Sequence, residues 1–135
     1  MVDASVALRW VLKDEKEPRV DALLHQWAVS KTDILVPPLF LSEIINALYL
    51  SVKRQRLHED EAKLALQTIM QVGTRVLEPP ELYLRSLELA IDYGTTNAYD
   101  TIYMALAEIE GCEFWTSDER LVKSLRLTPS WFKII

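Results

Sequence analysis

The chain has 135 residues, 50% of them hydrophobic; this is one domain's length with enough apolar side chain for a real core, and it excludes a disordered chain. Its formal net charge of −5 argues against holding nucleic acid by bulk electrostatics, although divalent ions and local basic patches offset such a charge. Apolar runs are too short to span a bilayer, no signal peptide precedes Asp3, and a single cysteine, Cys112, excludes an internal disulfide framework, so a cytoplasmic protein without a membrane partner is expected.

In chain order, residues 1–3 read as the end of a strand, with only Met1 and Val2 ahead of Asp3, so that strand is expected to be unusually short. Residues 5–12 read as a helix with Val6, Ala7, Trp10 and Val11 on one side. Pro18 suits the first turn of a second helix, which buries Val20, Leu23, Leu24 and Trp27 and ends near Ser30. Residues 34–36 are a short, fully apolar strand of the parallel-sheet kind. Pro37 and Pro38 break the chain before a third helix at 40–55, where Glu43, Asn46, Ala47 and Leu50 share a side. A fourth helix at 59–72 buries Ala62, Ala65, Leu66 and Ile69 and stops at Gly73.

Residues 74–77 then form a strand, and a fifth helix at 81–93 stops at Gly94. Asn97 caps a sixth helix that runs to Gly111, apolar almost all round through Tyr99, Ile102, Tyr103, Met104, Ala105, Leu106 and Ile109, and therefore buried. A strand at 113–116, a short helix at 118–125 and a last strand at 131–135 complete the chain. Short apolar strands alternating with helices predict a single three-layer α/β/α domain around a central, mainly parallel five-stranded sheet. His25 and His58 sit in polar helical surroundings and read as surface residues.

Some acids are misplaced against this pattern. Asp3, Glu43 and Asp100 are each the one acid in an apolar run, and Asp118 directly follows a strand-like run. A single buried carboxylate must be paired, protonated or bound to a metal. Ligands of parallel α/β folds gather at the carboxyl ends of the strands, where the topology allows one pocket lined by Asp3, Glu43, Asp100 and Asp118. Carboxylates without histidine or cysteine make a hard-oxygen site suited to Mg²⁺ or Mn²⁺, ions that serve phosphoryl chemistry.

Competing chemistries lack their residues. There is no P-loop or Rossmann glycine pattern and no G-x-S-x-G elbow. Asp3-Ala4-Ser5 lacks the second acid that aspartyl-phosphate phosphatases and phosphoacceptor domains need, and no lysine directly follows residues 113–116. Lys53, Arg54 and Arg56, and likewise Arg120, Lys123 and Arg126, are basic clusters; Arg9, Lys13, Arg120 and Lys123 are candidates to hold a nucleic-acid backbone.

The segments V-D-A-S-V-A-L, S-E-I-I-N-A-L, A-Y-D-T-I-Y-M-A-L-A and W-T-S-D-E-R-L, in that order, resemble the PIN-domain family, with the VapC-type toxins of prokaryotic toxin–antitoxin pairs as the nearest branch. The resemblance covers essentially the whole chain. It implies a metal-dependent endoribonuclease that cuts RNA (tRNA, rRNA or mRNA), is silenced by a cognate antitoxin protein, and forms a homodimer. It maps the family's acids onto Asp3, Glu43, Asp100 and Asp118, with Mg²⁺ or Mn²⁺ held chiefly by Asp3 and Asp100. A small polar residue maps onto Ser5, and a hydroxyl near the fourth acid onto Thr116 or Ser117. Hydrolysis by metal-activated water is expected to leave 5′-phosphate and 3′-hydroxyl ends. Trp27, Tyr49, Leu50 and the Leu57 region offer apolar surface for dimerisation. The alternative is a catalytically silent scaffold of the same fold that acts by binding protein.

Overall fold

The computed structural model describes residues 1–12, 17–95 and 97–135. The N-terminal segment Met1-Val2-Asp3 leads into α1 (Ala4–Val11), followed by α2 (Pro18–Ser30), β1 (Leu35–Val36), α3 (Phe40–Lys53) and α4 (Glu59–Gln71). The second half holds β2 (Arg75–Val76), α5 (Leu82–Tyr93), α6 (Asp100–Ile109), β3 (Phe114–Thr116), α7 (Glu119–Ser124) and β4 (Phe132–Ile134).

The strands form two parallel pairs, β1 with β2 and β3 with β4. Leu35 lies opposite Arg75, and Trp115 opposite Lys133. The N-terminal segment runs between the pairs. Val2 donates its N–H to the Leu35 carbonyl at 3.3 Å, Trp115 donates to the Met1 carbonyl at 2.9 Å, and Asp3 donates to the Trp115 carbonyl at 3.3 Å. In place of the expected five-stranded sheet, the described residues form two separate strand pairs, with the N-terminal segment bridged in parallel to β3 at Val2–Trp115 and bonded to β1 through the Val2 N–H.

The helices fall into two groups. α1 packs against α2, α3 and α4, while α5 packs against α6; both α1 and α6 touch β3, so the strands are covered by both groups. Val6, Phe40, Ile44, Tyr103, Met104, Leu106 and Phe114 are almost wholly buried and form the centre of the core. Helix ends follow their local chemistry. Pro18 opens α2 and Gly94, at φ 67°, closes α5 in the left-handed region that glycine enters without steric cost.

Three expectations are corrected. Asn97 does not cap α6 directly: its side chain accepts the Tyr99 N–H at 3.0 Å in a turn of its own, and the helix starts at Asp100. Tyr99, expected inside, is 65% exposed because it stands before the first helical turn. Trp27 and Leu57, considered as dimer surface, pack on the core, Trp27 edge-on to Trp115 at 6.0 Å. Both histidines are exposed, as their polar surroundings imply.

Candidate active site

The misplaced acids all occupy helix N-termini. Asp3 is the N-cap of α1 and Asp118 the N-cap of α7; Glu43 lies in the first turn of α3, and Asp100 is the first residue of α6. A helix N-terminus carries a partial positive charge and free N–H groups, so each placement offsets part of the cost of a carboxylate. Asp118 caps by accepting the N–H groups of Arg120 and Leu121 at 2.7 and 3.3 Å.

Asp3 is the most enclosed. Its Oδ1 accepts the Ser5 hydroxyl at 2.6 Å and the Val6 N–H at 3.0 Å, and its Oδ2 accepts the Thr116 hydroxyl. Burial nevertheless holds its pKa above the usual range; the donors from Ser5, Thr116 and Val6 pull the other way, and the charge of Asp118 adds to the rise. Thr116 also accepts the Asp118 N–H at 3.0 Å, while Ser5 accepts the Ser117 N–H at 2.8 Å. Asp3 and Asp118 are thus tied to one hydroxyl, that of Thr116.

Sequence reading left that hydroxyl open between Thr116 and Ser117. Thr116 is fully buried and bonded to Asp3, whereas the buried Ser117 Oγ has no partner among the described residues. The strand's alternation accounts for the difference in placement: Phe114 and Thr116 are buried on β3, with the half-buried Trp115 between them.

Glu43 and Asp100 complete the set. Burial raises Glu43 to about 7; the hydrogen bond from Tyr103 opposes this, and the charges of Asp100 and Asp3 add to it. Burial raises Asp100 to about 6, with help from Asp118 and Asp3. The charges of these acids therefore raise one another's carboxyls, as a secondary cause beside burial. Among the described residues, none of the ion pairs reaches any of them.

Tyr103 is a neighbour of the candidate site that helical spacing places only with the apolar surface, yet its hydroxyl donates to Glu43 Oε2. The available signal was general: a buried tyrosine hydroxyl needs an acceptor.

Of the backbone-binding candidates, Lys123 pairs with Glu119 at 2.7 Å on the surface of α7, and Arg120 is exposed on the same helix. Arg9 lies in the field of Glu17 and Glu119. Lys13 lies outside the described residues.

As they stand, no three acidic, histidine or cysteine side chains among the described residues are grouped as ligands for one ion. The donor chemistry still fits a hard divalent cation. The four acids are carboxylates that no ion pair among the described residues reaches, and Mg²⁺ commonly takes one or two carboxylates directly and keeps several waters.

Comparison with known proteins gives a consistent picture. A family profile described as PIN domain matches residues 1–124. Ribonuclease VapC9 of Mycobacterium tuberculosis is 31% identical over 121 residues, covering 90% of this chain and 87% of its own. Ribonuclease VapC3 of Pyrobaculum aerophilum is 27% identical over 125 residues, covering 91% and 92% respectively. The crystal structure of PAE2754 from Pyrobaculum aerophilum superposes with a TM-score of 0.66 and 25% identity, covering 93% of this chain and 78% of that one.

Proposed function

The chain belongs to the PIN-domain family, and we propose that it is a metal-dependent endoribonuclease, the toxin of a toxin–antitoxin pair. The observation that supports this reading is the set of carboxylates on the N-termini of α1, α3, α6 and α7, whose charges raise one another's carboxyls and which no ion pair among the described residues reaches. Relatives named VapC ribonuclease support RNA as the substrate.

Asp3 and Asp100 would hold the principal Mg²⁺ or Mn²⁺, with Glu43 and Asp118 completing the pocket. When bound, such an ion supplies positive charge for the phosphodiester and lowers the pKa of a water. The chain's own residues set the stage for that chemistry. Ser5, Thr116 and the Val6 N–H fix both oxygens of Asp3. Thr116 also fixes the backbone at Asp118, and so the turn from which that acid projects. Burial of Asp3 keeps water from competing for its carboxylate.

The substrate class is RNA of the tRNA, rRNA or mRNA kind, and the partner is a cognate antitoxin protein. We place the protein in the cytoplasm; none of the described helices is long and apolar enough to cross a membrane. A homodimer belongs to the same reading, supported by Ile45 and Tyr49, one turn apart on α3 and 51% and 60% exposed.

End-group analysis of the cleavage products tests the mechanism. Attack by water yields 5′-phosphate and 3′-hydroxyl ends. Products ending in 2′,3′-cyclic phosphate would show attack by the ribose hydroxyl and refute it.

A further inference from the structure

We infer that Tyr103 is a positioning residue of the acidic pocket, acting through Glu43; the inference rests on the nuclease reading above. Tyr103 is 1% exposed, and its ring stacks on Phe114 with centroids 5.9 Å apart and planes 12° from parallel. Phe114 is wedged in turn by Phe132, edge-on at 5.1 Å. The tyrosine ring therefore has a fixed place, and its hydroxyl is delivered to one point by the core rather than by a flexible arm.

That point is a carboxylate. The hydroxyl donates to Oε2 of Glu43, and Oε1 has no hydrogen-bond partner among the described residues. One oxygen is held and the other is left available. Glu43 needs such a tether. Its side chain is long, and the neighbouring charges of Asp100 and Asp3 push it away from the pocket. A single charge-assisted hydrogen bond from a rigid donor opposes both the rotamer freedom and the repulsion. Packing alone does not require the hydroxyl, since phenylalanine would fill the same space; the oxygen's contribution is the contact with Glu43.

The test compares wild type, Tyr103→Phe, Glu43→Gln and the double variant, with folding checked by circular dichroism. Mn²⁺ affinity is measured by electron paramagnetic resonance of the free ion, and cleavage kinetics give kcat and KM separately. Tyr103→Phe is expected to weaken Mn²⁺ binding about 10-fold or more. It should lower kcat, leave KM for RNA within about twofold, and add nothing in the Glu43→Gln background. A Tyr103→Phe protein that binds Mn²⁺ as wild type does, or whose effect adds in full to that of Glu43→Gln, overturns this inference while the nuclease reading stands. A wild type that neither binds Mn²⁺ nor cleaves RNA overturns both. Should Tyr103→Phe unfold, proton NMR of the wild type decides: a slowly exchanging, downfield tyrosine hydroxyl that moves on Mg²⁺ addition is expected, and its absence contradicts the tether.

Discussion

Thr116 donates its hydroxyl proton to Asp3 and accepts the backbone N–H of Asp118 at 3.0 Å. One side chain on β3 thereby links the acid ahead of α1 to the acid after the strand; the bond to Asp3 is buried and the bond from Asp118 half-buried.

Replacing Thr116 by Val removes that link while keeping the shape. The variant leaves Asp3 short of a donor and the Asp118 N–H without its acceptor. Stability should fall by about 1–3 kcal/mol, and RNA cleavage by about 10–100-fold. Thr116→Ser should recover most of both. Urea unfolding and a cleavage assay check this; a Thr116→Val protein as active as wild type would show that the link is unimportant.

Ser5 and Ser117 should separate sharply. Ser5 donates to Asp3 and accepts the Ser117 N–H, so Ser5→Ala removes a donor from buried Asp3 and the acceptor of a half-buried N–H, and should cost about 1–2 kcal/mol. The Ser117 hydroxyl has no partner among the described residues, so Ser117→Ala should stay within about 0.5 kcal/mol of wild type. Equal effects in thermal melts would contradict the assigned bonds.

Metal-free stability should fall as pH rises. Glu43 is raised from 4.5 to about 7 and Asp100 from 3.8 to about 6. Through that interval the native state binds more protons than the unfolded chain, so stability is full below about pH 4 and declines until about pH 7 from these groups. Asp100→Asn should flatten the decline and stabilise the metal-free protein at pH 7. The rise of Asp100 corresponds to roughly 3 kcal/mol unscreened, and its partial solvent exposure reduces the expected gain to about 1 kcal/mol. Mg²⁺ should stabilise wild type more than the variant. Urea midpoints across pH, with EDTA or Mg²⁺, read all of this, and a rise in wild-type stability between pH 4 and 7 in EDTA would count against the repulsive pocket.

The exposed α3 face should sustain a dimer. Sedimentation at micromolar protein should show a species twice the 15.6 kDa chain, and Tyr49→Glu should dissociate it. A wild type that sediments only as monomer excludes this part of the account.

Much of the site was legible in the residues, because each acid interrupts an apolar run and such interruptions are costly unless they serve something. Asp3, Glu43 and Asp100 stand out for that reason; the start of α3 ahead of Glu43 follows from the Pro37-Pro38 break, and Gly94 closes the helix that precedes Asp100. The strands were legible as apolar runs, but β1 and β2 pair over only two residues each, too few for pattern to fix their ends. Tyr103 could not be linked to Glu43 because the residues are 60 positions apart and meet only when α3 and α6 come together. Tyr99 went the other way: helical spacing counted it as core, but the turn set by Asn97 delays the helix and leaves the ring outside.

The most direct test of the central claim is cleavage of a total tRNA and rRNA pool by the purified protein, with Mg²⁺, with Mn²⁺ and with EDTA, beside Asp100→Asn. The account predicts discrete cuts that require the metal, disappear in EDTA, and are absent in the variant although it is folded and at least as stable as wild type. Cuts that persist in EDTA or in Asp100→Asn, or no cuts by folded wild type under any of these conditions, would contradict it.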